Sequence, residues 1–552
     1  MKHLLVLFSA LLFFLSAAQA QQTGGGTTEE KKHLIYFKDK ANTPYSLQEP
    51  QRFLSQKALD RRNRQGISLT VRDLPVNPAY VDRLKQEGVA VWYISRWFNA
   101  AVVQCTPEKL ATLEALPFVK STQTVNRVAS PQQVLDSKIT VVKHASSADA
   151  TLESKDYGLA YHQADMLGAD ELHKAGFRGE GVTIAVLDAG FPGVNTNAAF
   201  AHLFQDQQLK GTYDFVSRKA DVFGNDSHGT SVLSTMAAYA PGKLVGTAYK
   251  ANYYLFRTEE AASEHNIEEI NWLLAAEFAD SAGADIINSS LGYTTFDAPS
   301  ESYTYNQLNG NTTLVTKAAD FAAATGMLVV VSAGNEGNKP WRYISAPADA
   351  DSVLTVGAVD SLYRQASFSS FGPTADGRIK PDVAALGQRA YFLRADGTLV
   401  RGNGTSFSAP ILAGMAACLW QADYSKTNLE MIGLLRRLGR NASSPNNAIG
   451  YGVPQYNSTV TALPGSITGD GLSLSNPVSG NELILTVGDN WAKQSSVVHV
   501  LDVTGKLLLR QVLPASQSRH EIVLPPQLFP QGLYLCRVSS GSRNSTLRFV
   551  KL

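Results

Sequence analysis

Cysteine is scarce, with three in 552 residues. Cys105, Cys418 and Cys536 lie far apart, in no spacing that suits a metal or a redox pair. A disulfide-stapled scaffold is therefore excluded, and the core must carry the fold. An excess of charge of either sign is also missing: 49 Lys plus Arg face 48 Asp plus Glu. That balance gives no reason to expect nucleic acid or an acidic membrane as a partner. The basic patch Arg61-Arg62-Asn63-Arg64 reads as a solvated helix face. Beyond Leu15 no apolar run is long enough to cross a bilayer, so no transmembrane segment is expected.

What the chain does have divides it into stretches. Lys2 and His3 precede the apolar run Leu4 to Leu15, and Ala18-Gln19-Ala20 is a small-x-small cleavage pattern. Residues 1–20 read as a secretory signal peptide. Residues 33–128 alternate short apolar runs with two helical stretches that begin at Pro78 and Pro107, as expected of a small α+β domain. Residues 129–156 are polar and read as a linker open to cleavage. Residues 157–456 alternate buried-strand runs with helical periods, which predicts an α/β domain with a doubly wound, mainly parallel sheet. A Ser/Thr/Gly-rich break then leads to 472–552, where short alternating runs predict an all-β sandwich.

In the α/β domain, polar turns fall where apolar runs stop. Val182 to Leu187 ends at Asp188, Ile286-Ile287-Asn288 leads to Ser289-Ser290-Leu291-Gly292, and Leu328 to Val331 leads to Ser332-Ala333-Gly334-Asn335. Ligands meet the carboxyl ends of strands in this architecture. His228 stands before another apolar helical stretch. Gly402-Asn403-Gly404-Thr405-Ser406 runs into an uncharged helix that contains Pro410, placed in its first turn by the reading that its missing N–H would be unpaired there anyway. Ser406 is thus expected at a helix N-terminus, where free N–H groups and the helix dipole favour an oxyanion. Taken singly, each of these residues is more simply a cap or a turn residue. Together they supply a nucleophile, an imidazole, a carboxylate to hold it and an amide donor.

The order Asp–His–Ser and its local motifs resemble the subtilisin-like serine proteases. Those motifs are Ala185-Val186-Leu187-Asp188-Ala189-Gly190, His228-Gly229-Thr230, Ser332-Ala333-Gly334-Asn335 and Gly404-Thr405-Ser406-Phe407-Ser408-Ala409-Pro410. The resemblance implies a secreted serine endopeptidase made as a zymogen. Asp188 would orient His228, His228 would be general base and acid, and Ser406 would attack the scissile carbonyl. Asn335, with the Ser406 backbone N–H, would form the oxyanion hole. Ser290, Leu291 and Gly292 would pair with the extended substrate by β-augmentation, and Ala333 and Gly334 would wall the primary specificity pocket.

Residues 33–128 resemble the family's inhibitory propeptides, so the partners implied are protein or peptide substrates and the chain's own propeptide. Residues 472–552 resemble sorting domains read by type IX secretion machinery, which implies release from the cell or display on a bacterial surface. No cofactor is required for this chemistry and no metal ligands are assigned. Structural calcium is allowed by the resemblance, although no dense carboxylate loop of calcium spacing is visible; Asp297, Asn309 and Asn311 in the Tyr293 to Thr313 segment read equally as loop residues. Two other readings compete. An inactive adhesin on a protease scaffold is disfavoured by the intact set of four groups. An esterase is disfavoured because Ser408 stands where its elbow needs glycine.

Overall fold

The computed structural model describes residues 30–125 and 152–456, and most of 472–551. The expected signal peptide and most of the linker lie outside the described residues.

Strands β1 (Lys31–Phe37), β2 (Ala90–Ser95), β3 (Ala100–Cys105) and β4 (Val119–Thr124) form an antiparallel sheet in the order β2-β3-β1-β4. Helices α1 (Gln56–Gln65), α2 (Pro78–Gln86) and α3 (Pro107–Glu114) accompany them. Asn77 and Thr106 accept a backbone N–H at the starts of α2 and α3, where proline follows each cap as the sequence suggests. Side chains alternate across a strand, so this sheet has two apolar faces. Ile35, Phe37, Ala101 and Val103 pack with Val81, Leu84 and Leu113 of α2 and α3. Leu34, Ala100 and Val102 join a core that belongs mostly to the following unit.

That unit holds seven parallel strands: β5 (Thr183–Asp188), β6 (Leu209–Asp214), β7 (Asn252–Arg257), β8 (Ile286–Ser289), β9 (Leu328–Ser332), β10 (Leu354–Val359) and β11 (Val383–Leu386). Their order is β11-β10-β9-β8-β5-β7-β6. Ile184 and Val186 of β5 face one apolar core and Ala185 and Leu187 the other, the two-sided burial that its unbroken apolar run predicts. Helices α4 (His228–Ala237) and α7 (Thr405–Ala422) fill the first core; α5 (Ile267–Ala282) and α6 (Leu314–Ala324) cover the second. Residues 164–175, whose apolar spacing is helical throughout, are two short helices, Tyr161–Asp165 and Ala169–Lys174, with left-handed Gly168 at the start of the second.

Two sequence expectations are corrected here. The patch at 61–64 is not a solvated face: Arg61 and Arg62 are buried and ion-pair with the fully buried Asp280 of α5, and Arg96 joins them. A helix read alone cannot reveal a carboxylate supplied by another unit. Burial by itself would raise the Asp280 carboxyl, but the three guanidiniums hold it down to about 2. The second correction concerns Pro410. Helix α7 starts at Thr405, so Pro410 lies past the first turn. A residue there would ordinarily donate its N–H to the Ser406 carbonyl. Proline cannot, and Ser290 Oγ donates to that carbonyl instead at 3.0 Å.

In the C-terminal stretch, strands Leu472–Leu474, Glu482–Val487 and Arg519–Val523 form one antiparallel sheet. Strands Ser496–Asp502, Leu507–Leu513, Gly532–Ser540 and Arg543–Lys551 form another. A shared apolar core includes Leu483, Leu485, Trp491, Val498, Val500 and Phe549. Two antiparallel sheets over one core are the expected sandwich.

Candidate active site

The polar turns flagged by the sequence gather at the carboxyl edge of the parallel sheet. Asp188, the last residue of β5, is fully buried. His228 opens α4, with its N–H donated to Asp226 Oδ1 at 2.7 Å. His228 Nδ1 donates to Asp188 Oδ1 at 2.8 Å, and the Ala189 N–H donates to the same oxygen at 2.8 Å. The approach depends on Gly229. A Cβ at that position would lie 2.4 Å from the Gly190 carbonyl and 2.9 Å from Asp188 Cβ, so a larger residue would push the helix start away from the strand end. Burial disfavours a charged imidazole, but Asp188, with Asp226 and Glu259, overcomes it and raises His228 above 6.5. With Nδ1 engaged, Nε2 is the nitrogen left for proton transfer.

Ser406 is the second residue of α7 and nearly buried. Its Oγ donates to the Ser290 carbonyl at 3.3 Å rather than to His228. Hydrogen bonds between nucleophile and base are commonly loose until substrate arrives. Asn335 follows β9, and its Oδ1 accepts from the Thr405 N–H at 2.9 Å and the Thr405 hydroxyl at 3.1 Å. Both bonds fix the carbonyl end of the amide and leave the Nδ2 end as the donor. Thr405 Oγ1 also accepts the Gly334 N–H at 3.2 Å. Gly334, at φ 104°, adopts a left-handed conformation suited to glycine. The Ala333 carbonyl accepts the Ser345 N–H at 3.2 Å. Ser290, Leu291 and Gly292, running off β8, edge a cavity of about 500 Å³ that His228 and Ala189 also line.

The structure joins Asp188 with His228, Ser406 with Ser290, and Asn335 and Gly334 with Thr405; among the described residues no hydrogen bond runs from Ser406 to His228. Sequence reasoning missed several neighbours. Thr405 orients the amide. Ser345 Oγ is buried without a hydrogen-bond partner and lies where Cβ atoms on Gly292 and Gly334 would otherwise fit, 2.0 and 3.0 Å away. Glu259, Glu264 and Glu268 also line the cavity, and their ligand oxygens fall within 4.8 Å of one another. Burial and mutual repulsion push Glu264 to about 8 and Glu268 to about 9; burial with the Asp188 charge brings Glu259 to about 7. Glu259 follows the end of β7, a position the strand-end rule could have flagged. Nothing local marked the other two.

Among the described residues, that trio is the one group of three or more His, Cys, Asp or Glu side chains placed to hold a cation. Asp297 accepts the Glu264 N–H, while Asn309 accepts within its own turn from Asn311 and Thr312.

Residues 179–452 match the family described as the subtilase family, and residues 32–139 match the peptidase S8 propeptide domain of Bacteroidota. Subtilisin DY of Bacillus licheniformis is 31% identical over 256 residues, covering 46% of this chain and 82% of its own length. Subtilisin E of Bacillus subtilis is 28% identical over 333 residues, covering 60% and 77%. Among solved structures, MycP1 with its N-terminal propeptide removed is 25% identical, covering 53% of this chain and 94% of its own, with a TM-score of 0.42.

Proposed function

Because the chain belongs to the subtilase family, whose members here are serine endopeptidases made with a propeptide, we propose that Asp188, His228 and Ser406 are its catalytic triad and Asn335 its oxyanion donor. The observation that carries this is the 2.8 Å contact from His228 Nδ1 to a fully buried Asp188, at the rim of a cavity edged by Ser290–Gly292. His228 Nε2 takes the Ser406 proton as Oγ attacks the substrate carbonyl. The tetrahedral oxyanion is met by Asn335 Nδ2 and the Ser406 N–H at the start of α7. His228 returns the proton to the leaving amine, and water then releases the acyl group by the same relay. Asp188 stays ionised and steadies the imidazolium. The substrate adds a strand to the Ser290–Gly292 edge, and its side chain at the cleaved bond enters the pocket walled by Ala333 and Gly334.

The same proposal divides the chain into a signal peptide at 1–20, a propeptide at 33–128, a linker at 129–156, a catalytic domain at 157–456 and a sorting domain at 472–552. It makes the enzyme an exported one, routed through type IX secretion machinery. Among the described residues no helix is long and apolar enough to cross a membrane.

The test is the intact mass of Gln21 to Pro454 made as wild type and as Ser406→Ala. Loss of an N-terminal piece from the wild type alone is the expected result. Identical masses after challenge with an activating protease, with no peptide cleavage, would overturn the triad assignment and leave the inactive adhesin.

A further inference from the structure

The cavity beside His228 has an unusual lining for a peptide cleft. Asp226, Glu259, Glu260, Glu264, Glu268 and Asp297 all contribute to it, with the small residues Ala261, Ala262 and Ser263 leaving its volume open. Glu259 is 7% exposed. Its Oε1 accepts from the hydroxyls of Thr258 at 2.7 Å and Tyr293 at 2.8 Å, and its Oε2 has no hydrogen-bond partner. Glu268 accepts only backbone N–H groups, from Glu260 at 2.7 Å and His265 at 2.8 Å. Among the described residues no Lys or Arg ion-pairs with Glu259, Glu264 or Glu268. The nearby cation, Arg257, is taken by Asp214 and Glu260 at 3.0 Å each, and His265 Nδ1 meets the Ser300 hydroxyl. Carboxyl groups are therefore gathered on a partly desolvated wall where burial and mutual repulsion disfavour their charge, and a cation placed among them would be the group that restores it.

Resting on the peptidase reading above, we propose that Glu259, Glu264 and Glu268 form a specificity subsite for a Lys or Arg side chain of the substrate flanking the scissile bond, outside the primary pocket. The cavity opens onto Ser290–Gly292, the edge along which an extended peptide would lie, so a side chain leaving that edge shares the cavity with the carboxylates. An ammonium brings three donors and a guanidinium five, and a carboxylate oxygen that already accepts one hydrogen bond keeps a lone pair for another. A calcium ion fits less well. It takes 6–8 oxygens, whereas three side chains converge here with one ligand oxygen each. Burial and mutual repulsion that raise these carboxyls are relieved when a fixed positive charge sits among them.

The experiment profiles the mature enzyme on peptide libraries varied at each position flanking the cleaved bond. Lys and norleucine are then compared at the responsive position in wild type, Glu264→Gln and Glu268→Gln. The expected result is a Lys-over-norleucine ratio of kcat/KM of about tenfold or more, falling roughly tenfold in each variant. The ratio is insensitive to any fraction of unfolded enzyme. Glu264→Lys should invert the ratio in favour of Glu peptides. No basic preference at any position, or an unchanged ratio in the variants, would overturn the proposal while norleucine cleavage still upholds the peptidase. A calcium-dependent rise in Tm that Glu264→Gln abolishes, with no basic preference, would also overturn it and assign the trio to a metal.

Discussion

Ser290 and Ser406 exchange hydrogen bonds: the Ser290 hydroxyl donates to the Ser406 carbonyl at 3.0 Å, and the Ser406 hydroxyl donates to the Ser290 carbonyl at 3.3 Å. The first bond exists because Pro410 withholds the N–H that would have claimed that carbonyl. The end of β8 is thereby tied to the start of α7, and the proposed substrate-pairing edge to the proposed nucleophile. Ser290→Ala should cost about 1–3 kcal/mol by leaving a buried carbonyl unmet. Pro410→Ala restores a donor, so the same change should cost less in that background. Urea unfolding of both variants, in an inactive Ser406→Ala chain to prevent autolysis, measures the coupling.

Asn335→Ala should lower kcat by about 10²–10³ and leave KM nearly unchanged, because the amide meets charge that exists only in the transition state. Thr405→Val removes one of two bonds on the amide oxygen and should give a smaller loss in the same sense. Steady-state kinetics on one peptide separates these results from a binding defect, which would move KM.

The rate on the acid side should follow His228. Activity needs the neutral imidazole, and Asp188 raises the pH at which the proton leaves, so kcat/KM should fall on acidification through an apparent pKa above 6.5. Asp188→Asn should move that limb downward and cost about 10⁴ in kcat. A pH–rate profile of both enzymes checks the direction.

Much of this was legible in the chain, for physical reasons. Strand runs ending at Asp188, Asn288 and Ser332 are local patterns, and a parallel sheet forces their ends to one edge. The caps of α2 and α3 follow from Asn77-Pro78 and Thr106-Pro107. What escaped was contact between distant segments. Arg61 and Arg62 meet Asp280 more than two hundred residues away. The Glu259, Glu264 and Glu268 oxygens converge only once a loop folds back over a helix start. Ser345 looked like any serine until Gly292 and Gly334 closed around it. Gly168 shows the local limit, since helical periodicity persists across a break in which one helix has stopped at Asp165 and Gly168 caps the next.

Arg61→Ala should weaken the hold of the cleaved propeptide by about 3 kcal/mol, or roughly a hundredfold, because it leaves part of a buried charge unmatched. Asp280 titrates at about 2 in the assembled state, below the ordinary 3.8. The assembled state therefore binds fewer protons than the separated one, and its stabilisation, full above about pH 4, should fade as pH drops toward 2. Inhibition assays with the two propeptides, repeated at acid pH, test both statements.

Ser345→Gly should deepen the primary pocket that the proposed function places beside Ala333 and Gly334. Its buried hydroxyl occupies space that Gly292 and Gly334 leave free, so its removal should raise kcat/KM for large side chains relative to alanine by about tenfold. A panel of peptides differing only at the cleaved residue gives the comparison.

The three cysteines are all buried and unpaired: Cys105 on β3, Cys418 on α7 and Cys536 in a strand of the C-terminal sandwich. No covalent cross-link therefore joins one stretch of the chain to another. A single cut anywhere between them converts a tether into an equilibrium, and the fragments stay together only as long as their shared surface holds them. Reductants and thiol-directed inhibitors should leave the working enzyme indifferent, while dilution, which does nothing to an intact chain, becomes an activating treatment for a nicked one.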